Sequence, residues 1–103
     1  MHVAESEDGV HFDIRPEPFM PQVEDPLLAE YDTWIIDPRI TKIDDLYYII
    51  RPTGGTAHAL LYQTKDFETC EFMDCVSVGH NRVPCLFPEK INGFYYRLDR
   101  PSA

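Results

Sequence analysis

Apolar and aromatic residues recur along the chain in short runs, and nowhere over a helical length do they follow the 3.6-residue spacing of an amphipathic helix. The runs are rich in β-branched and aromatic side chains, and Gly, Pro, Asp and Asn residues bound them. The clearest strand predictions fall at residues 46–51, 59–64, 72–78 and 94–98. The pattern therefore predicts an all-β chain.

One phrase occurs twice, 48 residues apart. Its first copy is Ile-Asp-Asp-Leu-Tyr-Tyr at 43–48, followed by Arg-Pro at 51–52, and its second is Ile-Asn-Gly-Phe-Tyr-Tyr at 91–96, followed by Arg-Pro at 100–101. Asp-Asp and Asn-Gly pairs suit tight hairpin turns, and Asn-Gly tolerates a positive φ at both central positions. Each copy therefore predicts a β-hairpin.

A looser repeat joins the start of the chain to its middle. Ser6-Glu7-Asp8, with Phe12 downstream, resembles Thr64-Lys65-Asp66, with Phe72 downstream, at an offset of 58 residues. A hairpin, a further strand and a Ser/Thr-x-Asp turn that repeat about every 50 residues are typical of the four-stranded blades of a β-propeller.

The chain length then sets the number of blades. A propeller closes with roughly 4 to 8 blades, and 103 residues supply about two at this period. We therefore expect a single partial β-propeller domain with an incomplete ring. Residues 1–36 would hold the end of one blade and a proline-rich connection, 37–83 a full blade, and 84–103 the start of the next.

The charge excludes some classes of partner. The chain has 9 Lys and Arg against 18 Asp and Glu, a net charge of −9, and lacks the basic patch that nucleic acid or an anionic membrane would require. It has no apolar run of membrane-spanning length, and its acidic start does not resemble a signal peptide, so we expect a cytoplasmic protein. Three cysteines at no metal spacing predict reduced thiols, with no metal or cofactor.

Charged residues precede both hairpins. Asp37 and Arg39 precede the first, Glu89 and Lys90 precede the second, and Arg82 lies shortly upstream. Equivalent points on successive blades face the same end of the central channel of a propeller. We therefore expect these five side chains to converge on one pocket.

Three stretches of the chain resemble glycoside hydrolase family 130. They are Asp-Pro-Arg-Ile at 37–40 with the hairpin that follows it, Phe-Pro-Glu-Lys-Ile-Asn-Gly-x-Tyr-Tyr-Arg-Leu-Asp-Arg-Pro at 87–101, and Ser-x-Asp-Gly-x-x-Phe at 6–12. The resemblance implies blades of a five-bladed propeller that phosphorolyses β-mannosides, or in some members hydrolyses them. It covers about a third of a typical member.

The resemblance also implies roles for particular residues. Asp37 would be the general acid, passing a proton through a sugar hydroxyl to the glycosidic oxygen while inorganic phosphate, a co-substrate, attacks the anomeric carbon. Arg82 and Lys90 would bind the phosphate, because a dianion calls for cations, and Arg39 would orient Asp37. The partner would be a β-mannoside oligosaccharide.

Other interpretations remain open from the residues alone. Asp37 could form an Asx turn before Pro38, and Glu89 and Lys90 could be an exposed pair. Inverting hydrolysis would need a second carboxylate about 6.5–9.5 Å from the acid, for which Glu89 is the candidate. Trp34 could stack on a sugar or belong to the core, and His80 could touch phosphate or sugar or face solvent. The alternative function is a non-catalytic fragment that binds carbohydrate or assembles as a homo-oligomer.

Overall fold

The computed structural model describes residues 1–33, 37–54, 58–77, 79 and 81–101. Within these residues the regular structure is antiparallel β-sheet plus a short 3-10 turn, Ala29–Tyr31. The strands are β1 (Ala4–Glu5), β2 (Asp13–Ile14), β3 (Arg39–Ile43), β4 (Leu46–Pro52), β5 (Ala59–Thr64), β6 (Glu71–Ser77), β7 (Cys85–Leu86) and β8 (Arg97–Leu98). The all-β prediction is confirmed.

A complete blade occupies the middle of the chain. Strands β3 to β6 form a four-stranded antiparallel sheet in sequence order, while β1–β2 and β7–β8 form separate two-stranded sheets. The central strands β4 and β5 are the most buried, because each has a strand on both sides. Thr41 Oγ1 of β3 donates to the Leu86 carbonyl of β7 at 3.4 Å, so the first strands of two successive repeats lie together. This contact indicates the hub, where blades converge.

The 48-residue repeat is a repeat of structure. Ile43 pairs with Leu46 across the first turn, and Ile91 bridges to Phe94 across the second. The Asn-Gly turn has a positive φ at both central residues, as its composition predicts, whereas the first turn has a positive φ at Asp44. The β7–β8 hairpin is therefore the counterpart of the β3–β4 hairpin.

The 58-residue repeat is also structural. Ala4 pairs with Ile14 as Tyr62 pairs with Phe72, so β1–β2 is the counterpart of β5–β6. The structural equivalent of Phe72 is thus Ile14. The sequence comparison had matched Phe72 with Phe12, which lies two residues earlier.

Both Ser/Thr-x-Asp turns use the same hydrogen bonds. Ser6 Oγ accepts from the main-chain N–H groups of residues 8 and 9, and Thr64 Oγ1 accepts from those of residues 66 and 67. Asp8 and Asp66 each accept from the N–H groups two and three residues ahead. These bonds satisfy main-chain donors that the turn would otherwise leave unpaired.

The structure differs from the strand predictions at two places. The predicted strand at 94–98 is reduced to β8 and the bridge at Phe94, and in the described residues β8 pairs with β7 alone. Strand β3 was not among the clear predictions, because its polar residues and its position at the sheet edge leave it mostly exposed.

A cluster of buried apolar residues lies on one face of the complete blade, and Ile43 and Ile50 are buried on the opposite face. Val23, Ile49, Leu60 and Tyr62 are buried together, and Phe19 and Met20 from the proline-rich connection pack against them. The proline-rich part of this connection, residues 16–26, is therefore held to the sheet by apolar burial although it contains no strand. No helix in the described part of the chain is long and apolar enough to cross a membrane.

Candidate functional site

The complete blade has two ends with different chemistry. Antiparallel pairing puts the start of β3, the end of β4, the start of β5 and the end of β6 at one end, which we call the Asp37 end. The turn at Asp44 and the start of β6 lie at the other, which we call the Asp44 end.

Asp37 is exposed just before β3 and has a φ of 40°. A residue before proline normally adopts extended backbone, so this conformation is strained. Asn81 bridges to Pro101, and the Arg82 N–H donates to the Arg100 carbonyl at 3.2 Å. These contacts fix the chain that leaves β6 at the Asp37 end and leave the Arg82 side chain exposed.

A buried ion pair anchors the chain that approaches Asp37. The Arg51 guanidinium donates to Asp32 Oδ1 at 2.5 Å, to the Thr33 carbonyl at 3.2 Å and to the Tyr62 hydroxyl at 3.2 Å. Asp32 Oδ2 also accepts from the Val23 N–H at 2.9 Å. The pair therefore ties residues 23–33 to β4 and β5.

These contacts govern the ionisation of Asp32 and Tyr62. Burial opposes ionisation of Asp32, but the Val23 N–H and the Arg51 guanidinium outweigh it and lower the pKa of the carboxyl. Burial raises the pKa of Tyr62 to about 12, so the phenol stays protonated at neutral pH. No local sequence pattern points to this network, because its members come from separate segments of the chain.

Lys90 lies at the Asp44 end. Its Nζ is 3.1 Å from Asp44 Oδ2 and 5.0 Å from the centre of the Tyr95 ring. Hydrogen bonding to Asp44 and Tyr95 raises the pKa of Lys90. The Tyr48 and Tyr95 hydroxyls are 3.5 Å apart, so this cluster joins the complete blade to the β7–β8 hairpin.

The structure does not bring the five expected side chains together. Five residue steps separate Arg39 from Asp44, which is roughly 16 Å at 3.3 Å per residue. Asp37, Arg39 and Arg82 therefore lie toward one end, and Lys90 and the exposed Glu89 toward the other. The 48-residue repeat explains this, because Lys90 is equivalent to Lys42 next to the turn and not to Asp37 before β3. The one-pocket expectation is corrected accordingly.

Two candidate residues, Trp34 and His80, lie outside the described residues. Within the described ranges, no group of three or more His, Cys, Asp or Glu side chains could hold a metal ion. All three cysteines are free thiols. Cys85 is exposed, and burial raises the pKa of Cys70 to about 11.

The fold and the repeat define a class of protein, the β-propeller. The solved structure of β-1,2-mannobiose phosphorylase from Listeria innocua, in complex with β-1,2-mannobiose, matches 99% of this chain with a TM-score of 0.81 and 38% identity, and the match covers 28% of that chain. No family model matches the chain.

Three curated protein sequences also match this chain over nearly its whole length. The Listeria innocua β-1,2-mannobiose phosphorylase is 40% identical over 106 residues, and the β-1,4-mannooligosaccharide phosphorylase of Ruminococcus albus is 32% identical over 111, each over 99% of this chain. The 1,2-β-oligomannan phosphorylase of a Thermoanaerobacter species is 33% identical over 94% of it. The chain spans 28–33% of the length of these relatives.

The resemblance to glycoside hydrolase family 130 is thereby confirmed, since this chain is related to the β-mannoside phosphorylases of that family along nearly all of its own length. The propeller fold class is confirmed with it.

Proposed function

We propose that this chain provides the Asp37 part of a site that phosphorolyses β-mannosides with inversion. The observation that carries the proposal is that three relatives, each matching 94% or more of the chain, are all named as phosphorylases of β-linked mannosides. The exposed carboxylate of Asp37 at the open start of β3 supports it, because a general acid must reach its substrate.

The proposed reaction needs an acid and an anion site. A phosphate oxygen forms a bond to the anomeric carbon while the glycosidic C–O bond breaks, and Asp37 supplies the proton for the leaving oxygen through a sugar hydroxyl. Inversion yields α-mannose 1-phosphate and the shortened sugar. Arg82 is the proposed phosphate ligand at this end, with Arg39 positioning Asp37.

Phosphorolysis is favoured over hydrolysis by the relatives and by the position of Glu89. Inverting hydrolysis requires a carboxylate about 6.5–9.5 Å from the acid. Glu89 adjoins Lys90, which is held at the Asp44 end. A role for Glu89 or Lys90 beside Asp37 would require that contact to be released.

The test is to incubate the chain with β-1,2- and β-1,4-mannobiose, with and without phosphate, and to measure mannose 1-phosphate. We expect phosphate-dependent product that Asp37→Asn reduces by about 10²- to 10⁴-fold, the usual contribution of a general acid. Asp45→Asn, which alters an exposed carboxylate at the Asp44 end, is the matched control. Undiminished turnover by the Asp37 variant would overturn the assignment of the acid.

The phosphate ligands can be tested in the same assay. Arg82→Met should raise the KM for phosphate roughly tenfold, because a charge-assisted hydrogen bond contributes about 1.5–3 kcal/mol. Lys90→Met should leave that KM almost unchanged. The reverse pattern would place the phosphate at the Asp44 end and contradict the proposed geometry.

A further inference from the structure

Asp37 holds a strained conformation at an exposed position. Its φ of 40° lies in the left-handed region, although Pro38, which follows it, favours extended backbone at this residue. Residues 37–40 are all exposed, so burial of these side chains does not impose the conformation. Strained backbone persists only where the surrounding structure over-determines it. The conformation of Asp37 must therefore be fixed by the chain on either side of it.

The sheet fixes the chain that follows Asp37. Arg39 begins β3 and pairs with Ile50 of β4, and the next residue, Ile40, pairs with Ile49. This pairing sets where the strand begins, but it does not set the path by which the chain enters the strand. A second anchor is needed before Asp37.

Three consecutive residues before Asp37 provide that anchor, and we call Tyr31, Asp32 and Thr33 the clamp. Each of them contacts the end of β4 or the start of β5 through a different kind of interaction. The Tyr31 ring stacks on the ring of His58, which directly precedes β5, with 4.2 Å between the ring centroids.

The other two residues of the clamp bind the same arginine. Asp32 Oδ1 and the Thr33 carbonyl both accept hydrogen bonds from the Arg51 guanidinium, and Thr33 Oγ1 donates to the Gly54 carbonyl at 3.1 Å. The side chain of Arg51 is 4% exposed and that of Asp32 is 18% exposed. Removing one partner of such a shielded pair is strongly destabilising, because it leaves the other charge uncompensated. The chain is therefore firmly attached to the blade as far as residue 33.

The distance from the clamp to Asp37 is short. Four residue steps separate Thr33 from Asp37, and four steps span at most about 14 Å in a fully extended chain. A displacement of the clamp is therefore passed to Asp37 and is not absorbed along a long loop. Since β4 and β5 are the most buried strands of the blade, the clamp ties Asp37 to its most rigid part.

We propose that the clamp positions the Asp37 carboxyl for proton transfer. Its three residues and Arg51 are then positioning residues, and this inference rests on the function proposed above. A general acid works only within hydrogen-bond reach of the atom it protonates, and a misplacement of about 1 Å can cost about 10²-fold in rate. The clamp thus acts on kcat without touching the sugar or the phosphate.

The first test is kinetic. Asp32→Asn removes the charge that Arg51 binds, and we expect it to lower kcat for mannobiose phosphorolysis about 10- to 100-fold. The KM for phosphate should stay within about twofold, because the proposed phosphate ligand, Arg82, lies on a different segment. Asp13→Asn, at an exposed residue of β2, is the control and should match the wild type. An unchanged kcat in folded Asp32→Asn would overturn the inference.

A conservative pair of variants separates the ring contact from other effects. Tyr31→Ala removes the stack on His58, and we expect it to lower kcat. Tyr31→Phe keeps a ring at that place and should retain most of the wild-type kcat. An equal fall in the two variants would contradict a role for the stack in the clamp.

Combination with Asp37→Asn distinguishes positioning from a general loss of structure. If the clamp acts through Asp37, Asp32→Asn should cause little further loss of kcat in the Asp37→Asn background, because residues that act as a unit are not additive. The same fold-loss in both backgrounds would show that the clamp does not act through Asp37 and would overturn the inference.

Nuclear magnetic resonance tests the clamp without substrate, because the Cα and Cβ chemical shifts of a residue depend on its φ and ψ. We expect Asp32→Asn to move the Asp37 shifts toward those of an extended residue and Asp13→Asn to leave them in place. Thr33→Val, which removes only the hydrogen bond to Gly54, should move them less and replaces Asp32→Asn if that variant does not fold.

The two readouts keep the inference and the proposed function apart. Unchanged Asp37 shifts in the folded clamp variants would overturn the inference, whatever their activity. Absence of mannose 1-phosphate from the wild type would instead contradict the proposed function, and the chemical shifts alone would then decide whether the clamp sets the conformation of Asp37.

Discussion

At the scale of single residues, the ion pair of Arg51 with Asp32 is the most buried ion pair in the described part of the chain. Arg51 is buried, and its donors reach a carboxylate, a carbonyl and a phenol. Removing one partner of such a pair leaves the other charge buried without compensation, which is more damaging than losing the attraction itself. This pair therefore controls whether the segment leading to Asp37 stays attached to the blade.

The pair predicts acid sensitivity. The pKa of Asp32 lies below its unfolded value of 3.8, so its contribution to stability is fully present above pH 3.8 and is lost as pH falls through the folded-state pKa. We expect Asp32→Asn to lower the free energy of unfolding by about 3 kcal/mol at neutral pH. The free energy of unfolding of this variant should also fall less steeply than that of the wild type as the pH becomes acidic. Chemical denaturation at several pH values measures both effects. Asp13→Asn, at an exposed strand residue, is the control, and an equally steep fall in the Asp32 variant would contradict the prediction.

At the scale of elements, the two hairpins show how the same fold tolerates different turns. Gly93 has a φ of 80°, and a Cβ added there would meet nothing within 4 Å. A substitution at Gly93 therefore encounters backbone strain and no steric clash. Asp45 is the equivalent residue in the first turn, and its φ is not positive.

These turns give a position-matched prediction. Gly93→Ala should lower the free energy of unfolding by about 1–2 kcal/mol, the cost of a left-handed conformation for an L-residue. Asp45→Ala should change it by less than about 0.5 kcal/mol, as is usual for a surface site. Thermal or urea unfolding compares them, and equal losses in the two variants would show that the turn conformations are not the cause.

The sequence pattern predicted the bounds of some strands correctly and those of others incorrectly. Strand β5 has the predicted bounds, because a buried β-rich run ends there at a Thr-x-Asp turn. Strand β8 is shorter than predicted because, in the described residues, no strand pairs with its second edge to extend it. The position of Lys90 could have been obtained from the sequence, since counting back 48 residues leads to Lys42 and not to Asp37. The Arg51–Asp32 pair could not, because no local pattern links residues 19 positions apart.

At the scale of the whole molecule, order is distributed unevenly along the chain. The complete blade contains most of the buried residues, whereas β1–β2 and β7–β8 are two-residue strand pairs with mostly exposed side chains. Isolated two-stranded sheets are marginally stable in water. The two half-blades should therefore open more readily than the complete blade.

Amide hydrogen exchange read residue by residue tests this distribution. Amides of β4 and β5 should exchange slowest, since local opening is rarest where burial is deepest. The amides of the short, mostly exposed strands β1 and β8 should exchange faster, because few buried contacts oppose their opening. Protection in β1 and β8 equal to that in β5 would contradict this distribution, because burial would then not govern where the chain opens.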